Sequence, residues 1–123
     1  MKYLILSAGG MGIFAYLGYL KKHEELLGKV EEISGASCGA MLGTMLSMGF
    51  TIDQIIEKIQ NIDFKTLSKS NLKSLIKNFG LIDHEPIRKV LLEVIGSDPK
   101  FKDLKKKLYI TAFCVNRNQT EYF

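Results

Sequence analysis

The residues best placed to do chemistry are a serine between two glycines, Gly35-Ala36-Ser37-Cys38-Gly39, a G-x-S-x-G. The stretch lies between a short apolar-containing run and a small-residue helical run, and that strand-to-helix context is what a nucleophile elbow requires. A side chain at Gly35 or Gly39 would crowd the serine's neighbours in so sharp a turn. Ser37 would then stand at a helix N-terminus, where the helix dipole favours an anionic tetrahedral intermediate. The plain alternative is a glycine-rich helix start with an idle serine. A second loop, Ser7-Ala8-Gly9-Gly10-Met11-Gly12, follows the first apolar run. Consecutive glycines allow backbone N–H groups to turn inward as an anion hole. The same loop could be a phosphate or dinucleotide turn, or an ordinary strand–helix turn. However, its glycines are not spaced as G-x-G-x-x-G, no acidic residue closes the second strand, and no Gly-Lys-Ser/Thr ending occurs.

Other reactive side chains fit structural roles better. His84 stands at a helix start between Asp83 and Glu85, and His23 lies among Lys22, Glu24 and Glu25. Both read as surface residues rather than catalytic bases. Cys38 flanks the serine and reads as a small residue packed in the turn. Asp53 and Asp83 read as helix-start residues, while Asp63, Asp98 and Asp103 fall in polar connections. No Cys/His cluster has zinc-ligand spacing.

The positioning elements follow from apolar periodicity. Lys2 to Leu6 reads as a buried strand, Ser7 to Gly12 as a turn, and Ile13 to Leu27 as a helix ended by Gly28. Its stripe is Ile13, Leu17 and Leu20. Val30 to Ser34 reads as a second strand, Ser34 to Gly39 as a tight turn, and Ala40 to Met48 as a central helix stopped by Gly49. Thr51 and Gln54 have capping-box spacing ahead of Ile52, Ile55, Ile56 and Ile59. A polar connection from Asn61 to Ser70 precedes a short helix carrying Leu72, Leu75, Ile76 and Phe79. Asp83 is a plausible N-cap, Pro86 suits a first turn, and Ile87, Val90, Leu91, Val94 and Ile95 continue the helix to Gly96. Leu108 to Val115 reads as a central strand, Asn116-Arg117-Asn118 as a turn, and Thr120 to Phe123 as a further strand with no partner left in the chain. The order is that of an α/β fold with a largely parallel sheet, in one domain covering residues 1–123. Chemistry in such a sheet sits at the carboxyl ends of the strands, where both glycine loops fall.

Composition agrees with this. The chain has 123 residues, 46% of them hydrophobic and 24% charged, which excludes a disordered chain. Its net charge of +4 is too weak to argue for nucleic acid. Lys105-Lys106-Lys107 reads as a solvated basic turn, though weak attraction to an anionic membrane surface is compatible with the charge. No apolar run reaches the ~18 residues of a membrane span. Two separate cysteines fit reduced thiols inside a cell.

Taken together, these segments resemble the patatin-like phospholipase family. Leu4-Ile5-Leu6-Ser7-Ala8-Gly9-Gly10-Met11, continuing through Ala15-Tyr16-Leu17-Gly18-Tyr19-Leu20-Lys21, is similar to the family's opening strand, Gly-Gly-Gly-x-Arg/Lys-Gly loop and helix. Ile33-Ser34-Gly35-Ala36-Ser37-Cys38-Gly39-Ala40 resembles its elbow. Gly49-Phe50-Thr51, Phe79-Gly80-Leu81-Ile82-Asp83, Phe101-Lys102-Asp103-Leu104 and Leu108-Tyr109-Ile110-Thr111-Ala112 follow in the family's order. The resemblance implies a three-layer α/β/α sandwich and a Ser–Asp dyad acting on lipid acyl esters, with lipid or membrane surfaces as partners and no cofactor or metal. It makes Ser37 the nucleophile, Gly9 and Gly10 the oxyanion-hole residues, and Gly35 and Gly39 the elbow glycines. Aligned without gaps, Ala8 replaces the first loop glycine, Gly12 the basic residue and Ile13 the last glycine. The family's Asp lies in an Asp-Gly-Gly/Ala motif, and no Asp-Gly dipeptide occurs here. The expectation is therefore the front part of a longer intracellular acyl hydrolase. The alternative is a shortened, non-catalytic lipid- or partner-binding module of the same fold.

Overall fold

The computed structural model describes residues 2–62 and 84–123. The chain divides into two compact units, one formed by Met1–Ile56 with Pro99–Phe123 and the other by Glu57–Asp98.

The first unit is built on a four-stranded sheet in the order β1-β2-β3-β4: β1 Tyr3–Leu6, β2 Glu32–Ala36, β3 Lys107–Cys114 and β4 Gln119–Tyr122. The first three strands are parallel, with Leu6 opposite Gly35 and Gly35 opposite Ile110. The fourth is antiparallel to β3. This corrects the expectation that the last strand lacks a partner: a turn over 115–118 folds it back on β3. Asn118 takes φ 49° there, its N–H donates to the Val115 carbonyl, and Arg117 pairs with Glu121 at 2.6 Å.

After β1, a 3-10 turn at Gly10–Gly12 leads into α1, Ile13–Lys22, which buries Ile13, Leu17 and Leu20. The single helix expected through Leu27 breaks at His23, whose φ of −118° ends α1 before the short α2, Glu24–Leu27. His23 stacks on Tyr19 with ring centroids 4.6 Å apart, in keeping with its surface reading. α3, Cys38–Met48, starts two residues earlier than its apolar run suggests and packs on β1, β2 and β3. Gly43 permits that approach. A Cβ there would lie 3.1 Å from Ile33 Cγ2 and 3.2 Å from Leu108 Cδ1. Gly49 caps α3 in the left-handed conformation, φ 92°. α4, Ile52–Gln60, then begins with the predicted capping box: the Thr51 N–H donates to Gln54 Oε1 at 2.9 Å, and the Gln54 N–H to Thr51 Oγ1 at 3.3 Å.

Lys106 departs from the solvated-turn reading. Its ammonium donates to the carbonyl of Leu27 at 3.1 Å, which also accepts the Val30 N–H, and to that of Val30 at 2.5 Å. Lys107 does stay exposed, 4.9 Å over the Tyr109 ring.

Parallel strands laid down in one direction by right-handed crossovers place their helices on one face of the sheet. Among the described residues of this unit the core lies on one face of the sheet, with Leu6, Ile33 and Leu108 buried against α3. On the opposite face, Tyr3, Ile5, Phe113 and Tyr122 remain 57%, 79%, 60% and 73% exposed. A groove of about 180 Å³ runs there past Tyr3, Ile5, Ser34 and Tyr109.

In the second unit, α5 spans His84–Ile95 with Pro86 in its first turn. Val94 is buried, Ile87 is exposed, and Gly96 ends the helix at φ 83°. The helix expected around Leu72 to Phe79, the Asp83 cap and the Phe79-Gly80-Leu81-Ile82-Asp83 segment lie outside the described residues.

Candidate active site

Ser37 alone joins β2 to α3, the strand ending at Ala36 and the helix starting at Cys38. It adopts φ 53° and ψ −125°. A side-chain-bearing residue in that region is strained, and such strain collects at functional turns. The serine is exposed and makes no capping hydrogen bond to α3, so its hydroxyl stands clear of the helix it precedes. Its carbonyl accepts the N–H groups of Ala40 at 2.9 Å and Met41 at 3.2 Å.

The glycines on either side are required by main chain, not by side chains. A Cβ at Gly35 would come within 2.5 Å of the Gly39 carbonyl oxygen and 2.7 Å of the Ala40 nitrogen. A Cβ at Gly39 would fall on the Leu6 carbonyl and lie 2.7 Å from the Ser7 oxygen. The first contact agrees with the predicted crowding of the elbow itself. The second is different: Gly39 is small because the end of β1 and the glycine loop press against α3.

The glycine loop thus begins where the elbow ends. Leu6 and Gly35 are paired in the sheet, so Ser7 leaves β1 beside Ala36, the last residue of β2. Gly10 takes φ 51°, a conformation that favours glycine, and the Gly12 N–H donates to the Gly9 carbonyl at 2.8 Å. A Cβ built at Gly9 would meet Cys38 Sγ at 3.9 Å and the Tyr16 ring at 4.0 Å. Cys38 is half-buried, as its packing role predicted, and it borders the glycine loop. Met11 and Phe14, 61% and 43% exposed, flank the loop with apolar surface.

Tyr16 is the residue that sequence reasoning missed. Its hydroxyl shares a 2.5 Å hydrogen bond with Ser7 Oγ and lies 3.3 Å from the Ser7 carbonyl oxygen. The signal was its spacing: Tyr16 stands three residues after the buried Ile13, on the flank of α1 that turns toward β1.

Among the described residues no carboxylate or imidazole is hydrogen-bonded to Ser37. Asp53 sits in the first turn of α4 as predicted, 2.7 Å from Lys21 Nζ. Its carboxylate, with that of Glu24, holds the Lys21 ammonium above the ordinary lysine value. Asp63 and Asp83 lie outside the described residues. No three His, Cys, Asp or Glu side chains converge as metal ligands among the described residues. Nor is any described helix long and apolar enough to cross a membrane.

The chain is 30% identical over 134 residues to the uncharacterised protein R571 of Acanthamoeba polyphaga mimivirus, covering 100% of this chain and 45% of that one. Its fold is similar to that of the type III effector protein ExoU, with a TM-score of 0.62, 20% identity, and coverage of 98% of this chain and 35% of that chain. It is also similar to VipD from Legionella pneumophila, with a TM-score of 0.59, 15% identity, and coverage of 99% and 39%. The chain therefore spans less than half the length of each of these proteins. The patatin-like phospholipase family matches residues 4–122, and the chain belongs to that family.

Proposed function

We propose that this chain carries the nucleophile and the oxyanion-binding loop of a serine acyl hydrolase acting on lipid acyl esters. The observation that carries the reading is Ser37, held at φ 53° between β2 and α3, with Gly35 and Gly39 closed to any side chain. Family membership and the exposed apolar Met11 and Phe14 beside the loop support a lipid substrate.

In this mechanism Ser37 Oγ attacks the ester carbonyl carbon while its proton passes to a base. The carbonyl oxygen becomes an oxyanion, held by N–H groups of the loop at Gly9 and Gly10 and by the N-terminus of α3. Collapse breaks the C–O bond to the alcohol, which leaves with the proton, and the acyl group stays on Ser37. Water, deprotonated by the same base, then releases the fatty acid. The resemblance makes the base an aspartate, and none of the chain's Asp residues matches its motif.

A second reading follows from the Ser37 hydroxyl, which no described carboxylate or imidazole engages: a lipid- or partner-binding module of the same fold. A fluorophosphonate probe and liposome flotation separate the two. Covalent labelling of Ser37 with ester turnover supports the hydrolase. Flotation with phospholipid vesicles that Ser37→Ala leaves unchanged, without labelling, supports the module and defeats the hydrolase.

A further inference from the structure

We propose that Tyr16 is a positioning residue that holds the glycine loop in its oxyanion-binding shape, acting through Ser7. This rests on the acyl-hydrolase reading of the same site. Ser7 opens the loop, separated from Gly9 by Ala8 alone, and its carbonyl meets two things. On one side is Gly39 of α3, so close that a Cβ would lie 2.7 Å from the Ser7 oxygen. On the other is the Tyr16 hydroxyl at 3.3 Å. A tyrosine hydroxyl has one proton to give. If it goes to the Ser7 carbonyl, the 2.5 Å contact is completed by Ser7 Oγ donating to Tyr16 Oη. Side chain and main chain of Ser7 are then both tied to one atom on α1.

Tyr16 also borders the loop, its ring edge lying 4.0 Å from where a Gly9 Cβ would stand. The helix that carries it is anchored by Ile13, Leu17 and Leu20, all buried. The hydroxyl is thus a fixed point, whereas Gly9 and Gly10 are exposed and have no side chains of their own to hold them. Tyr16 transmits the position of the core to the candidate donors without touching substrate.

The test compares Tyr16→Phe, which keeps the ring, with Ser7→Ala and the double variant in the full chain. Two readouts are taken: amide hydrogen exchange at Gly12, whose N–H is bonded to the Gly9 carbonyl across the loop, and the rate of fluorophosphonate labelling at Ser37. A hydrogen bond of this kind is worth about a fivefold change in an opening equilibrium. Exchange at Gly12 should therefore rise about fivefold in Ser7→Ala, which leaves the Tyr16 hydroxyl on the Ser7 carbonyl, and at least as far in Tyr16→Phe, which removes both contacts; the double variant should add little to Tyr16→Phe. Exchange at Leu42 in α3 should not move, and labelling should slow with the loop. Loop exchange within roughly 1.5-fold of wild type, or a matching rise at Leu42, overturns the proposal. Wild-type protein that never labels Ser37 overturns the hydrolase reading instead, and the exchange arm still decides whether Tyr16 holds the loop.

Discussion

Alanine at Gly39 tests most directly whether the elbow and the glycine loop form one packed unit. Its methyl would land on the Leu6 carbonyl and within 2.7 Å of the Ser7 oxygen. Both obstacles are main chain, Leu6 at the end of β1, where it pairs with Gly35, and Ser7 directly after it, so neither can turn aside as a side chain would. Overpacking against side chains that can shift costs about 1–3 kcal/mol. Here either β1 or α3 must move, so the upper end, about 3 kcal/mol, is the expected loss. With a urea dependence of about 2 kcal/mol per molar, the unfolding midpoint should fall by about 1.5 M. Gly18 provides the control. It lies inside α1, and a Cβ there meets nothing within 4 Å. Alanine at that site should stabilise by about 0.5–1 kcal/mol, because glycine is the poorer helix former. The same added methyl should thus act with opposite signs at the two positions. Urea titrations followed by far-UV circular dichroism measure both. A Gly39→Ala midpoint within about 0.3 M of wild type would refute the close approach of β1 to α3.

Ser37→Gly should relieve the positive φ and stabilise the fold by about 1 kcal/mol while abolishing fluorophosphonate labelling, a trade seen as a higher melting temperature and no adduct. Lys106→Met takes the ammonium donor from the Val30 carbonyl, while the Leu27 carbonyl keeps the Val30 N–H, and should cost about 1–3 kcal/mol in chemical denaturation. Lys21, raised by Asp53 and then by Glu24, contributes stability that is fully present below its ordinary pKa of 10.5 and fades as the pH climbs through the raised value. Asp53→Asn should flatten that alkaline decline, and high salt should do the same, because the group is exposed; an unchanged pH profile would argue against the pair.

Much of this arrangement was readable in the residues. Two glycine loops after two apolar runs indicate a parallel sheet with both loops at its carboxyl edge. Ile13, Leu17 and Leu20 mark the buried face of α1, and Thr51 with Gln54 marks the start of α4. What could not be read depends on contacts distant in sequence. The break at His23 falls inside a stretch that reads as one helix to Leu27, and β4 finds its partner only once 115–118 turns back. Lys106 looks like a surface lysine until the sheet carries it to the end of α2, 76 residues from Val30. Tyr16 reads as one aromatic in a helix until β1 places Ser7 beside it.

The departures of the glycine loop from the family pattern also take on a physical meaning. Ile13 stands where the last glycine would be, and it is a fully buried first residue of α1, so that position anchors the helix to the core. Gly12 replaces the basic residue at an ordinary helical φ of −62°, with open space where a Cβ would go, so nothing in the backbone demands glycine there. Gly9, at φ −172°, lies outside the left-handed region, and a Cβ would meet only ordinary contacts at 3.9 Å or more. Gly10 alone in this loop combines a positive φ with a place among the candidate donors. The conformation of the loop therefore depends on one glycine within it, and on two supports outside it: Gly39, which lets β1 approach α3, and Tyr16, which ties down Ser7. Substitutions at Gly12 should be tolerated where those at Gly10 and Gly39 are not, and the altered spelling of the loop is compatible with an unaltered shape.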